Sequence, residues 1–478
     1  MAATGSSGQW RLILAAAGVS GVLAVLSTLL AIGYFEQKKL RETAHQESLH
    51  AQKAAAEARH AANRRQRARD QAEELAGFLL DDLRDELYQL GRSDLLLAAT
   101  ERTVAYFDHL PPELVTPDSQ AKHASVLLTL SDAQYQQGDH PAAIATARRS
   151  IALWKIAAAA ADPDGERTIR VGRALGELAL YQYQSGDPYA ARETYAEMLR
   201  LYGDPKSPIK DADWRSHGLA KVHLGLGEIE RMAKNYPKAR KEFSETIQHI
   251  SAAISHRPDE LSWVQMLMTA HNNLGVVAMH EKNYAAAEDS FLRAVEPNRA
   301  LIRREPKNRR WEKELATALQ NLGALMHLKK EYARAEPYLR EALTLRQGLV
   351  DWDPKSTRAI RKLAHSHHRM TLLQFDTGST TNALASARAA LAALHRLILI
   401  DPDDETTIGE ILDYTGKYRE RLTKAGMGEA AQQLIQENIS FAESTRGGKP
   451  GSRTAIAWNK LLASLRESPA TGEAKSMP

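Results

Sequence analysis

NNLGVVAMHEKNYAAAEDSFLRAV, residues 272–295, is followed 48 residues later by QNLGALMHLKKEYARAEPYLREAL, residues 320–343. Each stretch carries apolar residues at three- and four-residue spacing, breaks at a short Lys-containing segment, and resumes the same spacing. Two amphipathic helices joined by a tight turn account for that pattern. Working outward, the Ala of the second helix recurs at the same interval as Ala143, Ala191, Ala239, Ala287, Ala335, Ala383 and Ala431. Five residues before each stand Gly138, Gly186, Lys234, Lys282, Lys330, Gly378 and Gly426. Four residues after each stand Ala147, Tyr195, Phe243, Phe291, Leu339, Ala387 and Ile435. A unit repeated at a fixed period of this length predicts an all-α solenoid, because one helix pair cannot bury its own apolar face and must stack on the next.

The columns have packing reasons. Gly227, Gly275 and Gly323 recur inside the first helix, where Gly costs about 1 kcal/mol relative to Ala, so close approach of another helix must offset the loss. The recurrent Ala marks where the second helix closes on the first, and Ala287→Leu should destabilise by roughly 1 to 3 kcal/mol. Pro258, Pro306, Pro354, Pro402 and Pro450 are also spaced by 48 and predict where each second helix stops.

This wording resembles tetratricopeptide repeats, most of all the longer kinesin-light-chain type with its NLG and YxxAExxxxxAL phrases, over about residues 122–445. The resemblance implies a right-handed superhelix of seven helix pairs, whose first helices line a concave groove that holds extended peptides. At those groove positions stand Asn273 and Asn321, two residues before the repeat Gly, with Asn272, Gln320, His368 and Arg369 at adjacent or equivalent slots and His327 one turn on. Side-chain amides suit a peptide backbone because each supplies a donor and an acceptor. The alternative is that these Asn only satisfy neighbouring helices. The two-carboxylate clamp of the family, with its lysines, is not reproduced, so a chaperone C-terminus is not expected in the groove.

Ahead of the array, Leu12 to Phe35 is a run of 24 residues without a charge, long enough as a helix to cross about 30 Å of hydrocarbon. It is longer than the usual signal-peptide core and is expected to be an uncleaved transmembrane helix after a tail of residues 1–11. Residues 36–70 follow as a basic, Ala-rich helical stalk. Between residues 38 and 69, nine Lys or Arg face only Glu42, Glu47 and Glu57, a composition suited to anionic lipid. This bias places the C-terminal side in the cytoplasm. The expected arrangement is therefore single-pass in a bacterial inner membrane, with the repeats cytoplasmic. Residues 71–112 read as a degenerate helix pair capping the array, with Gly91 ending its first helix and Ser93 starting its second. The run from Arg64 through Leu110 resembles the junction between a membrane span and a tetratricopeptide array in bacterial signalling proteins. An effector can precede the span in those proteins, whereas only eleven residues precede Leu12 and none is expected there. Residues 453–466 should close the other end with Ile456, Trp458, Leu461, Leu462 and Leu465 on one face, and 467–478 should be a disordered tail.

The sequence offers little chemistry. The absence of Cys excludes disulfides, a thiolate nucleophile and a zinc ribbon, and a net charge of +4 gives no overall nucleic-acid footprint. The nearest Gly-rich loop, TRGGKPG at 445–451, has Pro where a phosphate loop needs Ser or Thr. Successive helix positions point about 100° apart, so His365, His367 and His368 cannot all converge on one ion, although His365 and His368 share a face as an i, i+3 pair. No catalytic constellation, cofactor, metal or small-molecule substrate is expected. The sequence reading is a non-enzymatic, membrane-anchored scaffold that recruits a protein or peptide partner. The alternative is a sensory component of a signalling system with its repeats outside the cytoplasm and its effector on another chain.

Overall fold

The computed structural model describes residues 7–89, 93–306, 308–445 and 453–466. Gly91, the Pro450 slot and the expected tail at 467–478 lie outside the described residues. Among the described residues all regular structure is helical. The chain divides into two compact units, Met1–Gly77 and Phe78–Pro478.

One helix, α1 (Ser7–Gln89), starts in the first unit and runs 83 residues without a break, so the expected limits at residues 35 and 70 coincide with no helix end. Within the first unit, Leu23, Val25, Leu26, Leu29, Leu30, Ile32, Tyr34 and Phe35 are all exposed. At 100° per residue these side chains surround the helix rather than forming one stripe.

In the second unit α2 (Ser93–Asp108) packs on the first of seven helix pairs. The pairs are α3 (Pro117–Gln136) with α4 (His140–Ala160), α5 (Glu166–Gln184) with α6 (Pro188–Gly203), and α7 (Ala212–Met232) with α8 (Tyr236–His256). They continue as α9 (Leu261–His280) with α10 (Tyr284–Arg304), α11 (Arg309–Leu328) with α12 (Tyr332–Trp352), α13 (Thr357–Asp376) with α14 (Thr380–Ile400), and α15 (Glu405–Lys424) with α16 (Gly428–Thr445). A last helix, α17 (Arg453–Arg466), covers α15 and α16 with Trp458, Leu461, Leu462 and Leu465 buried. Ile456 departs from the expected face: it is 60% exposed, because it lies half a turn away from the side that Trp458 and Leu462 bury.

Every pair turns on one left-handed residue, and these are Gly138, Gly186, Lys234, Lys282, Lys330, Gly378 and Gly426. The turn after α9 shows why. Lys282 N–H donates to the Met279 carbonyl at 3.1 Å and Asn283 N–H to the Ala278 carbonyl at 2.9 Å, the crossed pair that satisfies the last carbonyls of a helix. The same two bonds recur at all seven turns. The left-handed position favours Gly, yet three turns use Lys with φ of 59° to 62°. Second helices end two residues before Pro258, Pro306, Pro354 and Pro402.

The recurrent alanines are fully enclosed, at most 2% exposed. A Cβ added to Gly275 would lie 2.6 Å from Cε1 of Phe291, and the equivalent atom on Gly227 the same distance from Phe243. The missing Cβ therefore makes room for the ring four residues beyond the recurrent Ala. Each helix packs on its chain neighbours, and first helices also meet one another through α3, α5, α7, α9, α11 and α13. Helices on the inside of a curved stack lie closest together, so from α3 to α13 the first helices form the inner wall, while at the last two pairs α14 and α16 meet. One described helix, α14, is long and apolar enough to cross a membrane by length and composition. It is a core helix of the array, with Ala383, Ala387, Ala390, Leu391, Leu394, Leu397 and Ile398 buried.

Candidate functional site

The inner wall carries a ladder of polar contacts between successive first helices. Asn321 Nδ2 donates to Asn272 Oδ1 at 3.0 Å, linking α11 to α9. One end of the ladder continues below it, where Gln265 Nε2 donates to Glu314 at 3.0 Å. Above it His327 Nε2 meets Asp376 at 2.7 Å, and Arg421 holds the same carboxylate at 2.5 Å. Arg361 and His365 of α13 share Glu410 of α15 at 2.5 and 2.8 Å. These bonds are set by the repeat, since equivalent turns of adjacent first helices lie side by side.

The structure separates the amide and imidazole candidates into two groups. Asn272 and Asn321 are half-buried and joined to each other, Asn273 is half-buried beside them, and Arg369 is exposed on α13. Gln320 instead points inward: its Oε1 accepts from Arg346 Nη1 at 2.7 Å and from the Ser366 hydroxyl at 2.9 Å. His368 is 8% exposed, stacks on Tyr414 with ring centroids 3.9 Å apart, and meets the Tyr418 hydroxyl at 2.9 Å. Burial, with Arg369 and Lys417 adding, depresses its pKa to about 3, so the ring is neutral at ordinary pH. Gln320 and His368 thus join repeats rather than face an incoming ligand, whereas Asn272, Asn273, Asn321 and Arg369 remain at the wall. His327 is occupied by Asp376. His365 and His368 turn to different partners, and among the described residues no three His, Asp or Glu are grouped to hold a metal ion.

A second feature of the wall is cationic. Arg310 and Lys313 lie in the first turns of α11, and Arg358, Arg361 and Lys362 in those of α13. Lys313 is drawn below its usual pKa by burial and then by Arg358, against which Asp353 and Glu314 act, with Arg310 lowering it further. Its ammonium lies 5.7 Å from the Trp352 ring centroid. These cations face the other end of the array. Burial raises the Tyr135 phenol, and Arg358 is the largest influence opposing it. Burial pushes the Glu177 carboxyl up, but Lys221 at 2.8 Å, helped by Arg173 and Arg310, holds it below the usual range. The first and second pairs therefore look across the interior at the fifth and sixth. The sequence carried one sign of this, Arg310 and Arg358 standing 48 residues apart, but which faces meet depends on the twist of the whole stack.

Stacked helix pairs, left-handed turns at one column and a polar inner wall define an α-solenoid of tetratricopeptide-like repeats. No family model matches the chain, and no curated protein matches it. Solved structures that do match include BtubC (BKLC) from P. vanneervenii, 20% identical, covering 52% of this chain and 89% of that one, with a TM-score of 0.39. A signal transduction ATPase with numerous domains and a tetratricopeptide repeat sensor, from Pyrococcus horikoshii, is 14% identical over 77% of this chain and 49% of its own, with a TM-score of 0.43. A Rap protein complexed with Competence and Sporulation Factor is 12% identical over 82% and 98%, with a TM-score of 0.42.

Proposed function

We propose that the chain is a membrane-anchored scaffold that holds an extended segment of a partner protein against the inner wall of its first helices. The observation that carries this reading is the row of half-buried amides, Asn272, Asn273 and Asn321, on adjacent first helices. Amides at successive repeats can pair with the donors and acceptors of an extended backbone. Anchoring is supported by the uncharged run from Leu12 to Phe35 and by large apolar side chains exposed all round α1 between Leu23 and Phe35. Such a surface is unfavourable in water and suits hydrocarbon. The basic stretch at 38–69 supports a cytoplasmic array in a bacterial inner membrane, and contact of that stretch with anionic headgroups.

Full-length chain solubilised in detergent, used as bait, tests the groove. Asn273→Ala/Asn321→Ala should lose the partners that wild type recovers while melting cooperatively, and equal recovery would count against the amides. Reporter fusions at the C-terminus test the side. A fluorescent fusion should be bright and an alkaline phosphatase fusion inactive. The reverse result would place the repeats outside the cytoplasm and favour a sensory component acting through an effector on another chain.

A further inference from the structure

We propose that the turn edge of the third to fifth pairs, where Lys234, Lys282 and Lys330 stand in a row, docks on an anionic lipid surface. The inference goes beyond the groove and rests on the reading above only for the anchor that holds the chain at a bilayer.

The row carries residues that the turns themselves do not favour. All seven turns need a left-handed residue, and Gly138, Gly186, Gly378 and Gly426 meet that need without a Cβ penalty. Three consecutive turns carry Lys instead, with φ of 59° to 62°. The crossed hydrogen bonds are the same at the Gly and the Lys turns, so closing the turn does not call for a lysine. The three side chains are exposed, and among the described residues none has a carboxylate within ion-pair distance; the same holds for Lys238.

The carboxylates of this edge are already matched. Glu281 is held by Arg240 at 3.2 Å, and Glu288 by Lys329 at 2.8 Å and Arg334 at 2.6 Å. Glu331 pairs with the same two cations. Lys234, Lys238, Lys282 and Lys330 are therefore surplus positive charge. The opposite edge, where each second helix hands over to the next pair, carries Asp259, Glu260, Glu305, Asp353, Asp401 and Asp403. First helices of 20 or 21 residues at α7, α9 and α11 separate the two edges by about 30 Å.

Apolar side chains stand beside the lysines. Met232 and Leu328, each two residues before the lysine of its turn, are 59% and 55% exposed. His280 holds the middle slot, also exposed, and stacks on Tyr236 at 4.9 Å, tying the fourth turn to the third. Lysines that reach phosphates beside apolar side chains that enter the acyl boundary make an interfacial contact. Neighbouring first helices lie about 8 to 10 Å apart, so the row spreads its charge over several headgroups rather than one anion. A tether to the bilayer makes so small a patch sufficient, because docking is then an intramolecular step at high effective concentration. A soluble acidic protein lacks that advantage.

The chain has no Cys, so Met232→Cys, Leu328→Cys and, on the opposite edge, Asp403→Cys each give a single site for a polarity-sensitive dye. The labelled full chain is placed in nanodiscs of phosphatidylcholine, or of an equal mixture with phosphatidylglycerol, doped with nitroxide lipid. In mixed discs the dye at positions 232 and 328 should be quenched on the order of twofold more than in neutral discs, and the difference should shrink as salt screens it. The dye at position 403 should not respond. Lys234→Gly/Lys282→Gly/Lys330→Gly should bring the quenching at position 328 down to the neutral level while raising the thermal midpoint, since Gly suits the left-handed turn. Retained quenching in that variant, equal quenching in both lipids, or equal quenching at position 403 would overturn the proposal. A dye response that follows protein concentration instead of lipid charge would overturn it in favour of a second copy seating its acidic edge on the lysines. Retention in neutral discs reads the anchor separately: a chain that is lost from them but still quenched on mixed ones sinks the anchor and keeps the edge.

Discussion

Gly275 and Gly416 are both interior glycines of first helices, and their surroundings make opposite demands. A Cβ on Gly275 would meet Cε1 of Phe291 at 2.6 Å, and that ring is fully buried with no space to retreat. On Gly416 a Cβ would meet nothing within 4 Å. Both gain about 1 kcal/mol of helix propensity on replacement by Ala, but only the first pays a steric penalty, of about 1 to 3 kcal/mol. Gly416→Ala should therefore raise the urea midpoint and Gly275→Ala should lower it or leave it level at best. If Gly275→Ala stabilised as much as Gly416→Ala, the ring-over-glycine packing would be wrong. The column of Gly227, Gly275 and Gly323 was legible in the sequence because a costly residue recurred where nothing local required it. The left-handed Lys234, Lys282 and Lys330 were legible only as a shared column, since Lys gives no sign of positive φ.

Two histidines show how elements are joined, and how pH tests the joints. His217 of α7 stacks on Trp263 of α9 at 5.2 Å, and His368 of α13 stacks on Tyr414 of α15 at 3.9 Å. Burial depresses both to about 3; Lys221 and Arg173 add to the effect at His217. Around His368, Arg369, Lys417 and His365 act the same way and Asp413 acts against them. A histidine that titrates lower in the folded state than in the unfolded chain contributes stability that is fully present above about pH 6.5. That stability is lost as pH falls, because the unfolded chain takes up the proton first. Each should cost about 2 kcal/mol between pH 6.5 and 5, at roughly 1.4 kcal/mol per pH unit. Urea unfolding at pH 7 and 5 checks this: His217→Phe/His368→Phe should lose less stability over that interval than wild type, and an equal loss would refute the neutral buried assignment. At this scale the sequence was informative about helices and poor about their contacts. Gln320 and His368 occupy slots equivalent to Asn272, yet one bonds Arg346 and the other enters the core. Gln320 is drawn in by Arg346 and Ser366, and His368 by Tyr414 and Tyr418, partners that the repeat columns do not specify.

Each pair of the array packs on its chain neighbours, so, apart from the charge effects of Arg310 and Arg358 across the interior, stability should approximate a sum of units and interfaces, and one unit can be removed if the register is kept. The fourth and fifth pairs are the best candidates for such a graft. Trp263 and Trp311, Ala270 and Ala318, Gly275 and Gly323, Ala287 and Ala335, and Ala294 and Ala342 are buried in equivalent places. Deleting residues 261–308 joins Glu260 to Arg309, so that Trp311 enters the space beside Trp214 and α8 that Trp263 occupies. The Asn272 to Asn321 bond is lost and Asn321 then faces the position of Leu224. The deleted chain should keep its helicity per residue by circular dichroism and unfold in one transition at a lower midpoint. Deleting residues 261–294, the length of a minimal 34-residue repeat, leaves the last turns of α10 in place of a full pair and puts every later first helix out of phase with α8. That chain should lose cooperativity and bind hydrophobic dye. Equal behaviour of the two deletions would mean that the 48-residue spacing of the turns is not the unit in which the array folds.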